Sequence, residues 1–181
     1  SMWQLWEHFP DAVVVHLHRD PHDVIPSISA LTAKIAGVVT DDLDTQIIGA
    51  AQKRYWEQAA KQLYEWRTRA GPEYNCRRGA LTVHAEDNAE AAGQPCRIID
   101  VHHQQLSADH EDHVFRDIMQ FVGEAATDEQ ISQMLDFKNS FGFKKWPPLQ
   151  VNRSYFGFKE TGDFLDNDSF LMRYYNKYTP K

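Results

Sequence analysis

Phe9-Pro10-Asp11-Ala12-Val13-Val14-Val15-His16-Leu17-His18-Arg19-Asp20-Pro21-His22-Asp23-Val24-Ile25-Pro26-Ser27 is the stretch on which the reading of this 181-residue chain turns. From Ala12 to His18 it is β-branched and nearly continuous in apolar character, the pattern of a strand covered on both faces, as in parallel sheets. Arg19-Asp20-Pro21 ends that strand. Pro21 suits the first turn of a helix, and Asp20 is placed to cap its orphan amides. The helix continues through Ile25, Ile28, Leu31 and Ile35, with Pro26 early enough to be tolerated while shaping the path of the chain.

Upstream, Trp3, Leu5, Trp6 and Phe9 recur at near-helical spacing and stop at the Pro10-Asp11 turn signal, which predicts a short amphipathic helix. Downstream, Asp41-Asp42 opens a long helical stretch in which Leu43, Ile47, Ala51, Tyr55, Ala59, Leu63 and Trp66 form the apolar stripe, ending near Gly71-Pro72. Residues 73–94 carry no clear period, so helix, loop and insertion all stay open there. Arg97-Ile98-Ile99-Asp100-Val101 reads as a second buried strand. Val114, Ile118, Phe121 and Val122 define the next helix, closed by Gly123, and Thr127-Asp128-Glu129-Gln130 resembles a capping box for another. A final helix is expected around Phe170 to Tyr178. Strands separated by helices point to an α/β domain with a parallel sheet flanked by helices, a single domain over residues 1–181. Two strands leave poorly covered edges, so further strands are expected within 73–94 or outside this chain.

The formal charge of −7 supplies no global positive field for nucleic acid or an anionic membrane surface, so an anionic ligand needs a local cluster. The apolar runs at Ala12 to Val15 and Ile28 to Val39 are short or broken by Thr32 and Lys34, which predicts a soluble chain without a membrane span. Cys76 and Cys96 lie twenty apart with no CxxC, so a disulfide framework or zinc ribbon finds no support, and a reducing, cytoplasmic compartment is the expectation.

In open α/β sheets, ligands sit beyond the carboxyl ends of strands, where helix N-termini aim amides at anions. Arg19 and Ser27 occupy that place: a permanently charged donor fork at the strand end and a neutral hydroxyl in the following helix, able to converge on one phosphate. The plainer reading pairs Arg19 with Asp20 or Asp23 and leaves Ser27 to solvent.

The stretch from Phe9 to Ser27 resembles the segment of PAPS-dependent sulfotransferases that reads FPDA, apolar strand, RDPxDxxxS. The resemblance implies that Arg19 and Ser27 bind the 3′-phosphate of 3′-phosphoadenosine 5′-phosphosulfate (PAPS), with PAP as product. Asp100-Val101-His102-His103-Gln104-Gln105-Leu106, followed by Phe121-Val122-Gly123, is similar to the family's V-R-Y-E-D-L segment, with His103 where a tyrosine contacts adenine and Gln104-Gln105 where the acidic pair stands. Arg153 and Lys159 are the candidates for the family's basic C-terminal loop, although the Arg-Lys-Gly expected before Gly162-Asp163-Phe164 is missing.

The implied fold is P-loop-NTPase-like and incomplete at the N-terminus, because no Gly-rich 5′-phosphosulfate loop occurs here. The family's His or Glu base usually lies in that same half, so the catalytic residues stay unassigned. A complete site is expected to need residues upstream of Ser1, from a longer chain, a second polypeptide or a homo-oligomer. The implied reaction transfers a sulfuryl group to an acceptor hydroxyl or amine on a small molecule, carbohydrate or lipid, with no metal required.

Three rivals come from other classes. His16 with His18, and His110 with His113, are spaced to share a face and bind a metal, but no HExxH accompanies them, and the first pair reads better as hydrogen-bonded core. The five tryptophans and Lys144-Lys145-Trp146-Pro147-Pro148 fit a non-catalytic binding or scaffold protein of the same fold. A kinase-like nucleotide protein requires GxxxxGK[ST], which this chain lacks.

Overall fold

The computed structural model describes residues 2–71, 74, 96–106, 111–140, 151–160 and 164–178. Contacts separate the chain into two compact units: Ser1–His18 with Arg67–Lys145 and Tyr178–Lys181, and Arg19–Trp66 with Trp146–Lys177.

The first unit is built on two parallel strands. Helix α1 (Met2–His8) leads into β1 (Val14–His18), which pairs with β2 (Ile98–His102) in the register Val14↔Ile98, His16↔Asp100 and His18↔His102. The Trp6 indole N–H donates to the Ala12 carbonyl at 2.7 Å, and Arg97 Nη1 donates to the Pro10 carbonyl at 2.7 Å, so the turn before β1 is tied on both sides. All five residues of β2 are buried, as expected for a buried strand, and Asp100 and His102 are buried with the three apolar residues.

β1 corrects the expectation of a strand covered on both faces. Its exposure alternates, with Val15 41% and Leu17 49% exposed, while His18 is buried. A run of valines carries no periodic signal, so the sequence cannot separate two buried faces from one.

Cys96, Ile99, Val101, Val114 and Phe121 form a buried cluster, with Leu106 and Ile118 packed against it. Val114, Ile118 and Phe121 come from α4 (Glu111–Phe121) at helical spacing, and each buried aliphatic or aromatic side chain contributes about 1.5–3 kcal/mol. Gly123 ends that helix with φ +88, a left-handed value that a side chain disfavours, as Glu124 N donates to Met119 O at 2.9 Å. The predicted capping box opens α5 (Asp128–Ser140): Gln130 N donates to Thr127 Oγ1 at 3.2 Å and Thr127 N to Gln130 Oε1 at 2.9 Å.

Cys96 is disulfide-bonded, which corrects the reading of both cysteines as reduced; the sequence holds one other cysteine, Cys76, outside the described residues. Spacing alone is a poor guide to pairing, because the intervening chain decides which sulfurs meet. The ground for expecting a reducing, cytoplasmic compartment is thereby removed.

The second unit is helical. Asp20 accepts from His22 N at 2.8 Å and caps α2 (Pro21–Ala36), with Pro21 in the first turn as the sequence predicts. The long helix α3 spans Thr45–Arg69 and starts later than Asp41-Asp42: its cap is Asp44, whose Oδ1 accepts from Gln46 N at 2.9 Å and Ile47 N at 3.1 Å.

The expected apolar stripe of α3 is also corrected, since Ile47 is 63% and Tyr55 66% exposed. The covered face instead runs through Thr45, Gly49, Gln52, Trp56, Ala60, Leu63 and Arg67. Several of these are polar or glycine and are covered by specific bonds, such as Gln52 Nε2 to Thr32 Oγ1 at 3.0 Å, which hydrophobic periodicity cannot register.

Gly49 is a point of close approach in this unit: a Cβ there would meet the Phe156 carbonyl oxygen and lie 3.0 Å from the Phe156 Cβ. Phe156 ends a short 3-10 turn, Arg153–Phe156, which Gly157 closes with φ +75. Thr45 Oγ1 adds a 2.6 Å bond to the Tyr155 carbonyl, so this turn is fixed on α3 twice.

The last helix, α6 (Phe170–Tyr178), is capped from α3, as Glu57 accepts from Phe170 N at 2.6 Å and Leu171 N at 3.3 Å. Residues 73–94, apart from Tyr74, lie outside the described residues, as do Gly162-Asp163 and His110. Among the described residues no helix is long and apolar enough to cross a membrane.

Candidate functional site

Arg19 follows the last residue of β1 and precedes the cap of α2; it is exposed, and its guanidinium makes no hydrogen bond or ion pair among the described residues. The sequence alternative of an Arg19 pair with Asp20 or Asp23 is thus not what forms. Asp20 is occupied by the His22 amide, and Asp23 Oδ1 lies 3.3 Å from Arg153 Nη2.

Ser27 is half-buried in the second turn of α2. Two other hydroxyls of the same helix fold back on their own backbone, Ser29 Oγ to Ile25 O and Thr32 Oγ1 to Ile28 O, both at 2.8 Å. Among the described residues the Ser27 hydroxyl makes no such bond, which leaves its donor uncommitted there.

Arg153 is the first residue of its 3-10 turn, and its pairing with Asp23 ties that turn to α2. A cation held by a carboxylate is partly neutralised, so Arg19 is the less compensated of the two guanidinia. The local charge is felt by Tyr175: burial first, then Asp20 and Asp23, raise its phenol above the usual value. Lys159 is exposed beyond the same turn. His103 belongs to the other unit, where it opens the 3-10 turn His103–Leu106 and is exposed; its neighbour His102 is fixed by bonds to Gln104 and Gln105.

The first unit also holds a charged network that sequence reasoning missed. Arg67, fully buried, donates from Nη1 to Asp100 Oδ1 and from Nη2 to Asp100 Oδ2, each at 2.8 Å, and from Nε to the Tyr74 carbonyl at 3.0 Å. His18 Nε2 lies 2.7 Å from Asp100 Oδ1, and the His16 ring sits 4.3 Å from that of His18. The Tyr178 ring covers the guanidinium carbon at 3.7 Å.

Burial alone would push the Asp100 carboxyl up, but the hydrogen bonds and charge of Arg67, with His18, hold it below the ordinary value. His16 is lowered from 6.5 to about 4, by burial first and then by His18 and Arg67, against the pull of Asp100. The signal available in the sequence is Asp100 itself, a lone carboxylate inside an apolar strand that requires a buried partner.

One atom each of His16, His18 and Asp100 lie within 4.8 Å of one another, which is metal-ligand spacing. The donor chemistry does not fit a cation: both Asp100 oxygens are already bonded to a guanidinium that can never deprotonate, and a metal would sit against that charge. The reading of His18 as a hydrogen-bonded core residue is the one the geometry supports.

The Sulfotransferase family profile matches residues 2–128, a span that contains the β1–α2 junction, Arg19, Ser27 and His103. No curated protein and no solved structure matches the chain. Sulfuryl transfer is the chemistry of that family, which generally uses PAPS as donor. With a match over residues 2–128, most of its length and inclusive of the segment between the first strand and the helix after it, the chain belongs to the sulfotransferase family.

Proposed function

We propose that this chain serves PAPS-dependent sulfuryl transfer, and that Arg19 and Ser27 hold the 3′-phosphate of the nucleotide. The observation that carries the proposal is the state of these two groups. Arg19 is an exposed cation without a protein partner among the described residues, and Ser27 is the α2 hydroxyl that does not bond back to its helix. A guanidinium fork supplies charge and geometry to a phosphate, and the hydroxyl adds a directional donor without further charge.

In the proposed reaction the acceptor oxygen or nitrogen attacks sulfur in line as the bond from sulfur to the 5′-phosphate oxygen breaks. PAP leaves, and the acceptor proton passes to a base. The chain's own contribution is to position the nucleotide through its 3′ end, so that binding energy far from sulfur orients the reacting group. His103 is proposed to stand against adenine, where an imidazole can stack on a purine, and Arg153 to contribute from the C-terminal turn once the nucleotide competes with Asp23. A P-loop-like fold, one functional domain over residues 1–181 and a small-molecule, carbohydrate or lipid acceptor complete the proposal.

The test is calorimetric titration of the chain with PAP beside adenosine 5′-phosphate. Preference for the nucleotide that carries the 3′-phosphate is expected, and equal affinity for both would count against the proposal.

A further inference from the structure

The turn that α3 holds in place builds a second feature, separate in its residues from Arg19, Ser27 and Arg153. A cleft of about 400 Å³ opens beside it, with Gln46, Ala50 and Lys53 on one side and Phe158, Lys159 and Phe164 on the other. Gln46, Ala50 and Lys53 follow one another at four and three residues, so they form one face of α3.

The cleft is pre-formed. Thr45 bonds the Tyr155 carbonyl, Gly49 admits the Phe156 carbonyl where any side chain would block it, and Gly157 turns the chain in the left-handed region so that Phe158 and Lys159 follow at the rim. The aromatic wall is fixed as well: the Phe164 ring stacks on Phe158 with centroids 4.5 Å apart and meets the edge of the His22 ring at 5.0 Å. Lys53 and Lys159 are exposed and make no hydrogen bond or ion pair among the described residues.

Two uncompensated ammonium groups beside a rigid phenyl stack, in a space the size of a small molecule, select a ligand by charge and by a flat apolar body together. We propose that this cleft binds a small aromatic anion, an arene bearing a sulfate or carboxylate. The ring would lie on the Phe158–Phe164 wall and the anion between Lys53 and Lys159. This site uses none of Arg19, Ser27, His103 and Arg153; Lys159 is the one residue it shares with the C-terminal loop that the family resemblance places near the nucleotide.

The test is calorimetry on the full chain with 2-naphthyl sulfate, neutral 2-naphthol and inorganic sulfate. The aryl sulfate is expected to bind about tenfold tighter than either fragment, and Lys53→Ala, Lys159→Ala and the cleft-filling Ala50→Phe each to weaken it by about tenfold with an unchanged melting temperature. Inorganic sulfate binding as tightly as the aryl sulfate reduces the site to a bare cation pair and overturns the inference. So does 2-naphthol binding equally, or the three variants retaining parental affinity.

Arg19→Ala separates the two proposals. It is expected to leave 2-naphthyl sulfate affinity unchanged, and a loss there merges the sites and overturns this inference. Failure of PAP to bind a chain that still takes 2-naphthyl sulfate overturns the nucleotide reading alone.

Discussion

Arg67 and Asp100 meet in two parallel hydrogen bonds of 2.8 Å, with the arginine fully buried at the end of α3 and the aspartate 3% exposed in the middle of β2. Neither charge has water to fall back on, so each depends on the other, and His18 and the Tyr178 ring complete the enclosure. The network locks β1, β2 and the end of α3 into one arrangement just before the chain reaches Arg19.

Breaking that pair from either side leaves an uncompensated buried charge. Asp100→Asn or Arg67→Met is expected to cost about 3–5 kcal/mol of stability, read from urea unfolding midpoints. Replacing both residues together is expected to recover part of the loss, because no orphan charge then remains. A single variant within 1 kcal/mol of the parent, on the scale used for ordinary surface changes, contradicts the described geometry.

Acid weakens the same region, and both shifted groups act in one direction. The unfolded chain protonates His16 below 6.5 whereas the folded chain resists until about 4, so stability falls as pH drops across that window. The ring is 29% exposed, and solvent screening reduces the loss to about 2 kcal/mol. Asp100, depressed in the folded state, contributes stability that is present above 3.8 and lost as pH falls further. Unfolding free energies at pH 6.5 and 4.5 are expected to differ, and His16→Asn to flatten the difference; an equal slope in that variant would exclude His16 as its source.

Gly49 sits inside a helix, where alanine ordinarily gains about 1 kcal/mol. Gly49→Ala is nevertheless expected to destabilise by about 1–3 kcal/mol, since the new methyl group collides with Phe156 and displaces the turn. Gly157→Ala has room, with its nearest neighbour Gln46 at 3.9 Å, but forces a left-handed residue and is expected to cost about 1 kcal/mol. Thermal melts of both variants decide the matter: a Gly49→Ala chain more stable than the parent contradicts the close approach.

The disulfide at Cys96 anchors the chain as it enters the buried cluster beside Ile99 and Val101. Reduction with dithiothreitol is expected to lower stability by about 2–4 kcal/mol. Identical melting curves with and without reductant would contradict a bonded Cys96.

The sequence was most legible where local chemistry decides structure. Asp20-Pro21 capped a helix, Thr127 and Gln130 formed their reciprocal cap, and both strands lay where β-branched residues ran together. It was least legible where a distant partner decides: Arg67 reads as one more cation at a helix end until Asp100 is placed beside it, and Cys96 reads as a lone thiol. The stripe of α3 misled because its covered face is built from Gly49, Gln52 and Arg67, each held by a contact rather than by hydrophobicity. At the candidate site the sequence singles out Arg19 and Ser27 by type and spacing, and the structure shows only that neither is committed to another described residue; the capture of Asp23 by Arg153, 130 residues away, was not legible.

The central claim rests on Arg19, and the most direct measurement is the affinity difference between PAP and adenosine 5′-phosphate on the parent chain and on Arg19→Ala. The account predicts that the parent favours PAP and that the variant loses about 2 kcal/mol of that preference, the size of a charge-assisted hydrogen-bonded contact. A variant that keeps the full preference for the 3′-phosphate contradicts it.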